Sequence, residues 1–297
     1  KKVLVLEQHY IAGGTTHSFV DKGVEHETGL HYIGNIKKRR KVLDLITYNP
    51  IHWCKMGWER EDNRDIYDEI FIGDNHYEFE AGEKNLINYL IKRFPDVDRL
   101  SFEAYFYHIK HASKKENFFL AKVLPYKWLS YFFGGYDYKY DYYCKTSAYN
   151  FIKQIFKDEE LISVLLGQFG DYGVTPKKAS FFLHASIVNH YIDGGWFPSG
   201  GTGVIANEIC KTIKSYGGDV LVGKSVRKIL TSKNRAYGVE MENGDIIYCN
   251  NIVSGVGLRN TFDKLVNVPS NSVYKKMLSK MEPSVQHIYC FVKLDAL

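Results

Sequence analysis

A carboxylate, Glu7, stands at the end of the apolar run Val3-Leu4-Val5-Leu6, and the glycine pair Gly13-Gly14 follows shortly after. A continuous apolar run predicts a parallel strand covered on both faces. In a nucleotide-binding βαβ unit, an acid at the end of the second strand accepts hydrogen bonds from an adenosine ribose. The glycine-rich turn that cradles the pyrophosphate then lies roughly 20 residues upstream. By that spacing the turn falls before Lys1, so the sequence is expected to be a fragment beginning at the second strand of such a unit. Its far end, within the apolar stretch 288–297, is expected to be cut inside another strand.

Other chemistry-bearing patterns are weaker. His26 and His31 in "HETGLH" are five apart rather than four, so they would not share a helical face, and no metal site is expected there. Ser199 and Ser254 lie beside glycines without the G-x-S-x-G frame of a serine hydrolase. Gly201-Thr202-Gly203-Val204-Ile205-Ala206 matches G-x-G-x-x-A, but "GGWFPSG" before it reads as a turn rather than a strand. The next strand, Val220-Leu221-Val222, leads to Gly223-Lys224 with no acid. A glycine-rich helix start packing closely on another backbone is expected, rather than a second nucleotide site. His184, Asn189, His190 and Tyr191 form a polar group among glycines and aromatics that could face a ligand; each also suits a structural hydrogen bond.

The elements that must position these residues follow from pattern. Asp21-Lys22-Gly23 turns a short strand pair, residues 66–79 form a hairpin turning at Gly73-Asp74-Asn75, and Asn243-Gly244 turns another. Helices are expected from about residue 40, over 85–94, through much of 100–170, and after Gly203 with a Gly217-Gly218 stop. Residues 251–254 read as an apolar strand. With 297 residues, 45% hydrophobic and 25% charged, the chain is long enough for one large core or two smaller ones. The 23 Tyr and 18 Phe suit a site for a large, flat, apolar ligand as well as a core. The five cysteines lie far apart, which argues against a zinc site and a disulfide framework. The net charge of +5 is modest and no nucleic-acid module is visible. One dense basic run, Lys37-Lys38-Arg39-Arg40-Lys41, could meet a phosphate or an acidic membrane surface, and also reads as a solvated helix start. Residues 118–136 mix aromatics with Lys122 and Lys127, which suits either an interfacial membrane element or a core helix pair.

Four stretches, "VLVLEQHYIAGG", "HETGLHYIG", "YGVTPKKASFFLHASIVNHYIDGGWFPSGG" and "GGDVLVGKSVRKIL", resemble in order and spacing the carotenoid and retinoid oxidoreductases, the flavoprotein group of carotenoid isomerase and phytoene desaturase. The resemblance implies an α/β fold: an FAD-binding Rossmann-like domain built from residues 1–48 and 199–262, an inserted α+β substrate domain over 49–198, and the start of a second substrate-domain segment at 263–297. It implies that Glu7 binds the adenosine ribose, that Gly13, Gly14 and Thr15 follow the phosphate–ribose side, that Gly29, Leu30 and His31 line the flavin ring, and that Val226 meets the adenine. The activity implied is saturation of one C=C bond of a retinoid, all-trans-retinol to 13,14-dihydroretinol, with NAD or NADP as a possible electron source. His31 and Tyr32 are the candidate proton donors; His184, His190 and Tyr191 are candidate substrate contacts. Carotenoid isomerisation or desaturation is the alternative reaction, and a non-catalytic lipid-binding protein the alternative class. A peripheral position on the endoplasmic reticulum membrane is implied, with residues 118–136 as the contact. Two departures stand out: Thr15 and Thr16 replace cysteines found in many relatives, and Gly255-Val256 replaces Asn-Ala. Without the upstream turn, the chain alone is expected to hold FAD poorly.

Overall fold

The computed structural model describes residues 2–59, 64–114, 138–233, 235–269, 271–282 and 288–292. In chain order the strands are β1 (Leu4–Leu6), β2 (Ser18–Asp21), β3 (Val24–Glu27), β4 (Ile33–Gly34), β5 (Trp53–Lys55), β6 (Trp58–Glu59), β7 (Asp65–Ile72), β8 (Asn75–Glu80), β9 (Gly195–Pro198), β10 (Asp219–Leu221), β11 (Val226–Ser232), β12 (Arg235–Met241) and β13 (Ile246–Tyr248). The helices are α1 (Ile36–Leu43), α2 (Glu83–Arg93), α3 (Arg99–Ser113), α4 (Tyr138–Lys145), α5 (Ala148–Ile155), α6 (Glu159–Leu165), α7 (Phe181–Tyr191), α8 (Gly203–Ser215) and α9 (Val273–Leu278).

The expected opening strand is present. β1 pairs in parallel with β10, Leu4 opposite Asp219 and Leu6 opposite Leu221. α8 leads into β10 through Gly217, whose φ of +74° ends the helix. Gly218 follows so closely on β1 that a Cβ there would lie 2.4 Å from the Val3 carbonyl oxygen. Beyond β10, β11, β12 and β13 form an antiparallel sheet whose core is Ile229, Val239 and Met241, with Leu6 and Val226 packed on it. The three anticipated hairpin turns are where the glycines put them: Lys22 and Gly23 both take positive φ between β2 and β3, and Gly73 and Gly244 do the same.

Four expectations need correction. "GGWFPSG" is not a simple turn: its Gly195–Pro198 segment is β9, the middle strand of the sheet β4-β9-β5. Trp196 and Phe197 favour the pleated sheet, and Pro198 is tolerated because it closes the strand. Residues 251–254 carry no strand: Ile252 packs against the Ile229 core, but Val253 is 95% exposed and the run pairs with no strand among the described residues. Residues 288–292 carry none either. The first helix starts at Ile36, after Asn35 at a φ of +51°, rather than near residue 40.

Most of the surplus aromatics are spent on a helical core. α2, α3, α5, α6 and α7 pack with the β7–β8 hairpin around Phe102, Phe106, Phe151, Phe156 and Phe181, and Phe151 and Phe181 stack at 3.7 Å. Serine or aspartate at the N-cap fixes the starts of four of these helices: Asp98, Ser147, Asp158 and Ser180 each accept a first-turn N–H. Residues 118–136 lie among those not described. No helix among the described residues is long and apolar enough to cross a membrane.

His184 is fully buried in this core. Its Nε2 lies 2.8 Å from the Tyr105 hydroxyl and its Nδ1 3.3 Å from that of Tyr172. Burial lowers its pKa from 6.5 to about 3. The folded value is below the unfolded one, so unfolding takes up a proton: this contribution is complete above pH 6.5 and is lost as pH falls toward 3. Urea unfolding should therefore show about 2 kcal/mol less loss between pH 6.5 and 5 in His184→Gln than in the parent; equal losses would contradict a neutral buried imidazole. Gly34 gives a second test. A Cβ there would fall 1.9 Å from the His190 carbonyl oxygen. Gly34→Ala is expected to cost about 3 kcal/mol or more, roughly 5–10 °C in Tm, and an unchanged melting curve would refute so close an approach of β4 to α7.

Candidate functional site

The end of the β1·β10 pair gathers residues from two distant segments. The Glu7 N–H donates to Leu221 O at 2.9 Å, and Glu7 O accepts the Lys224 N–H at 2.8 Å. One carboxylate oxygen of Glu7, Oε1, accepts the His9 N–H at 2.8 Å; Oε2 has no partner among the described residues. Gly223 crosses beside it with a φ of +63° and open space where a Cβ would stand, its N–H bonded to His9 O at 2.8 Å. Val226 opens β11 three residues further on. The strand-end acid and Val226, far apart in sequence, belong to successive sheets, β1-β10 and β11-β12-β13, and Leu6 before Glu7 packs with Val226 on the same small core.

A second group forms where the chain turns back. Gly13 takes a φ of +134° and lies so near α8 that a Cβ would be 3.1 Å from the Ala206 Cβ. Its carbonyl accepts the Thr16 N–H at 3.0 Å and the Thr16 hydroxyl at 2.8 Å. Gly14, at +57°, has nothing within 4 Å of its Cβ position. Thr15 O accepts the Leu30 N–H at 2.9 Å, and a Cβ on Gly29 would be 2.8 Å from the Thr15 Cβ. The buried Thr202 donates its N–H, at 3.2 Å, and its hydroxyl to the Glu27 carboxylate. The glycine-rich start of α8 thus rests on the Glu27 carboxylate rather than closely on another backbone: a Cβ on Gly203 would stand 3.9 Å from the Thr16 carbonyl oxygen, an ordinary contact.

The third group surrounds Tyr32. Its ring lies 4.8 Å from that of Tyr191 and against Gly195. Burial raises the pKa of both phenols, and the negative charges of Asp171 and Asp68 raise them further. Asp68 accepts the Gln168 amide at 3.0 Å and the Glu69 N–H at 2.9 Å; burial pushes its carboxyl above the usual range in spite of both bonds. Tyr67 is raised in the same way, by burial and then by Asp68. His190 accepts the Gly34 N–H on Nε2 at 2.9 Å. His31 is exposed, its ring 5.3 Å from that of Tyr289.

Of the residues singled out from sequence, Glu7 meets the segment 221–224 that leads to Val226; Gly13, Gly14 and Thr15 join Gly29 and Leu30; and Tyr32 joins Tyr191, with His190 holding the adjoining strand. His184 stands apart in the core. Sequence reasoning missed Asp68, Gln168 and Asp171. The one local sign was an acid set inside the strand Ile66-Tyr67-Asp68-Glu69-Ile70, and nothing near Gln168 or Asp171 marked them as its neighbours. Among the described residues, one trio of potential metal ligands, Glu69, His76 and Glu78, has donor atoms within 4.8 Å of one another. Arg64 already binds Glu78 at 2.6 Å, and neither histidine of "HETGLH" takes part.

These surroundings suit a flavin nucleotide. A carboxylate with a spare oxygen stands at the end of a parallel strand, and glycines of positive φ leave open sides at Gly14 and Gly223. The comparisons agree. The chain is 32% identical over 315 residues to All-trans-retinol 13,14-reductase of Macaca fascicularis, covering 99% of this chain and 50% of that protein. It is 29% identical over 315 residues to Inactive all-trans-retinol 13,14-reductase of Danio rerio (100% and 50% covered), and 28% over 162 residues to Prolycopene isomerase of Daucus carota (52% and 26%). The chain thus spans about half the length of the curated relatives it matches. In fold it is similar to an oxidoreductase from Methanosarcina mazei, with a TM-score of 0.64 at 18% identity over 95% of this chain and 60% of that one. A family model described as flavin containing amine oxidoreductase matches residues 1–261, and to that family of FAD-binding α/β proteins the chain belongs.

Proposed function

We propose that the protein carrying this chain is an FAD-dependent oxidoreductase that saturates a C=C bond of a retinoid, converting all-trans-retinol to 13,14-dihydroretinol. The observation that carries the chemistry is Tyr32, a phenol kept protonated beside Tyr191 and Asp68, two residues along from Leu30 on its Thr15 contact. The similarity to retinol reductases supports the substrate class.

In this reading residues 1–48 and 199–262 hold the cofactor and 49–198 with 263–297 serve the substrate. Glu7 takes the ribose, Val226 the adenine, Gly13, Gly14 and Thr15 the phosphate–ribose side, and Gly29, Leu30 and His31 the ring. When bound and reduced, the flavin supplies a hydride equivalent to one carbon of the double bond, with NAD or NADP as the proposed electron source. The chain's own residues supply the rest. Hydride addition to a conjugated polyene leaves a carbanion far more basic than phenolate, so Tyr32 Oη gives up its proton downhill even though its pKa is raised. Burial and the charges of Asp171 and Asp68 hold the proton on the phenol pair until the carbanion takes it. His190 and Tyr191 position β4 and the Tyr32 ring; His31 is the alternative donor. A retinoid dissolves in membranes, which supports a peripheral position on the endoplasmic reticulum surface. Isomerisation of a cis-carotene is the second reading, favoured by the likeness to prolycopene isomerase. The likeness to an inactive relative keeps a non-catalytic lipid-binding role as a third outcome.

Product analysis separates the three. Enzyme reduced in D₂O and given all-trans-retinol should yield a dihydroretinol carrying two solvent deuteriums across the former double bond, because both the flavin N–H and the Tyr32 O–H exchange with solvent; a rearranged cis-carotene with no saturated product would favour the isomerase, and no product from either would favour the binding protein. Tyr32→Phe should lower the saturation rate about 100-fold or more with flavin content unchanged. His31→Ala at the parental rate would leave Tyr32 as donor, whereas loss in His31→Ala alone would move the role to the imidazole.

A further inference from the structure

Between α1, α3 and α7 lies a cavity of about 460 Å³ that the proposed reaction does not use. Its lining includes Arg39 from α1, Lys110 and Lys114 from the end of α3, and Asn35, Asn189 and His190; no carboxylate lines it. Lys110 is held by Glu83 at 2.5 Å. Arg39 and Lys114 have no anionic partner among the described residues. Asn35 precedes α1 without a side-chain cap bond, so its amide is not spent on the helix. Because His190 Nε2 accepts the Gly34 N–H, a neutral His190 carries its proton on Nδ1.

Stability of the fold explains only part of this. Lysines in the last turn of α3 suit the negative end of its dipole. Arg39 comes from the opposite situation. α1 begins at Ile36 with no acid in its first turn and basic residues immediately after, at the end of the helix where the dipole disfavours cations. Within the described structure, nothing compensates that arrangement.

We propose that this cavity binds a phosphate-bearing group, Arg39 and Lys114 pairing with its oxygens and the Asn35 and Asn189 amides donating to them. An arginine fork suits two phosphate oxygens at once, lysine adds a point charge, and the volume admits a phosphorylated small molecule or a lipid headgroup. The site is independent of the retinoid reading, and its test needs neither flavin nor turnover.

Calorimetric titration with inorganic phosphate and pyrophosphate, and flotation with phosphatidylcholine vesicles with and without phosphatidic acid, distinguish the two sources. Saturable binding of the soluble anions, weakened at least tenfold in Arg39→Gln and in Lys114→Gln but not in Lys37→Gln or Lys41→Gln, supports a soluble phosphate ligand. Flotation that requires phosphatidic acid, with the same dependence on Arg39 and Lys114, supports a headgroup. Melting temperatures of the variants check that the fold is intact, and Lys114→Ala provides a second removal of charge. The proposal is overturned if neither probe binds. It is equally overturned if the four variants bind alike, because the run would then act only as diffuse surface charge.

Discussion

The parallel pairing of β1 with β10 is the constraint on which the rest depends. Three residues near the start of the chain and three in its last third share one register, and the juxtapositions around Glu7 and Gly13 follow from it. It sets Glu7 beside Gly223 and Lys224, and it leads into β11, whose Val226 packs with Leu6 on the core of the next sheet. Because α8 runs directly into β10, it also presses Ala206 onto Gly13 and Thr202 onto Glu27. Such a pairing closes a very long loop at an entropic cost; at Gly218 the backbone of β1 leaves no room for a Cβ, and at Gly13 and Gly29 a Cβ would crowd the Ala206 and Thr15 side chains.

The helical core plays a different part. It buries aromatic rings and few charges, and it presents α7 as a rigid wall against which β4 lies. Gly34 and His190 lock that wall to the strand that follows Tyr32. Tyr32 is therefore held between two rigid bodies, the sheet β4-β9-β5 and α7, rather than on a free loop. Buried phenols beside carboxylates are costly unless something uses them, and such perturbed groups concentrate at working sites. The same wall carries His190 to the rim of the basic cavity, so one histidine borders two different environments.

What could be read from sequence was what depends on local chemistry. The strand ending in Glu7, the hairpins at Lys22-Gly23, Gly73 and Asn243-Gly244, and the glycine stop after α8 all rest on backbone preference or periodicity over a few residues. The α8 start at Gly201–Gly203 was legible as a helix start from its glycines, but its partner, the Glu27 carboxylate, lies far away in the chain and left no local sign. What escaped was set by partners distant in the chain. β9 looked like a turn because glycines and Pro198 bracket it, and only β4 and β5 make it a strand. Residues 251–254 looked like a strand because they are apolar, yet no neighbour covers Val253. Asp68 and Gln168 gave almost no local sign, since their meeting depends on how β7 lies against the segment after α6.

The central claim is that the Glu7 carboxylate, at the end of β1, holds the sugar of a flavin nucleotide. Measuring FAD affinity by fluorescence titration of apoprotein, for the parent and for Glu7→Gln, tests it most directly. Loss of one charge-assisted hydrogen-bonding group predicts roughly 10- to 100-fold weaker binding, with Glu7→Asp intermediate and the melting temperature of the apoprotein unchanged. FAD affinity in Glu7→Gln equal to that of the parent would contradict the account.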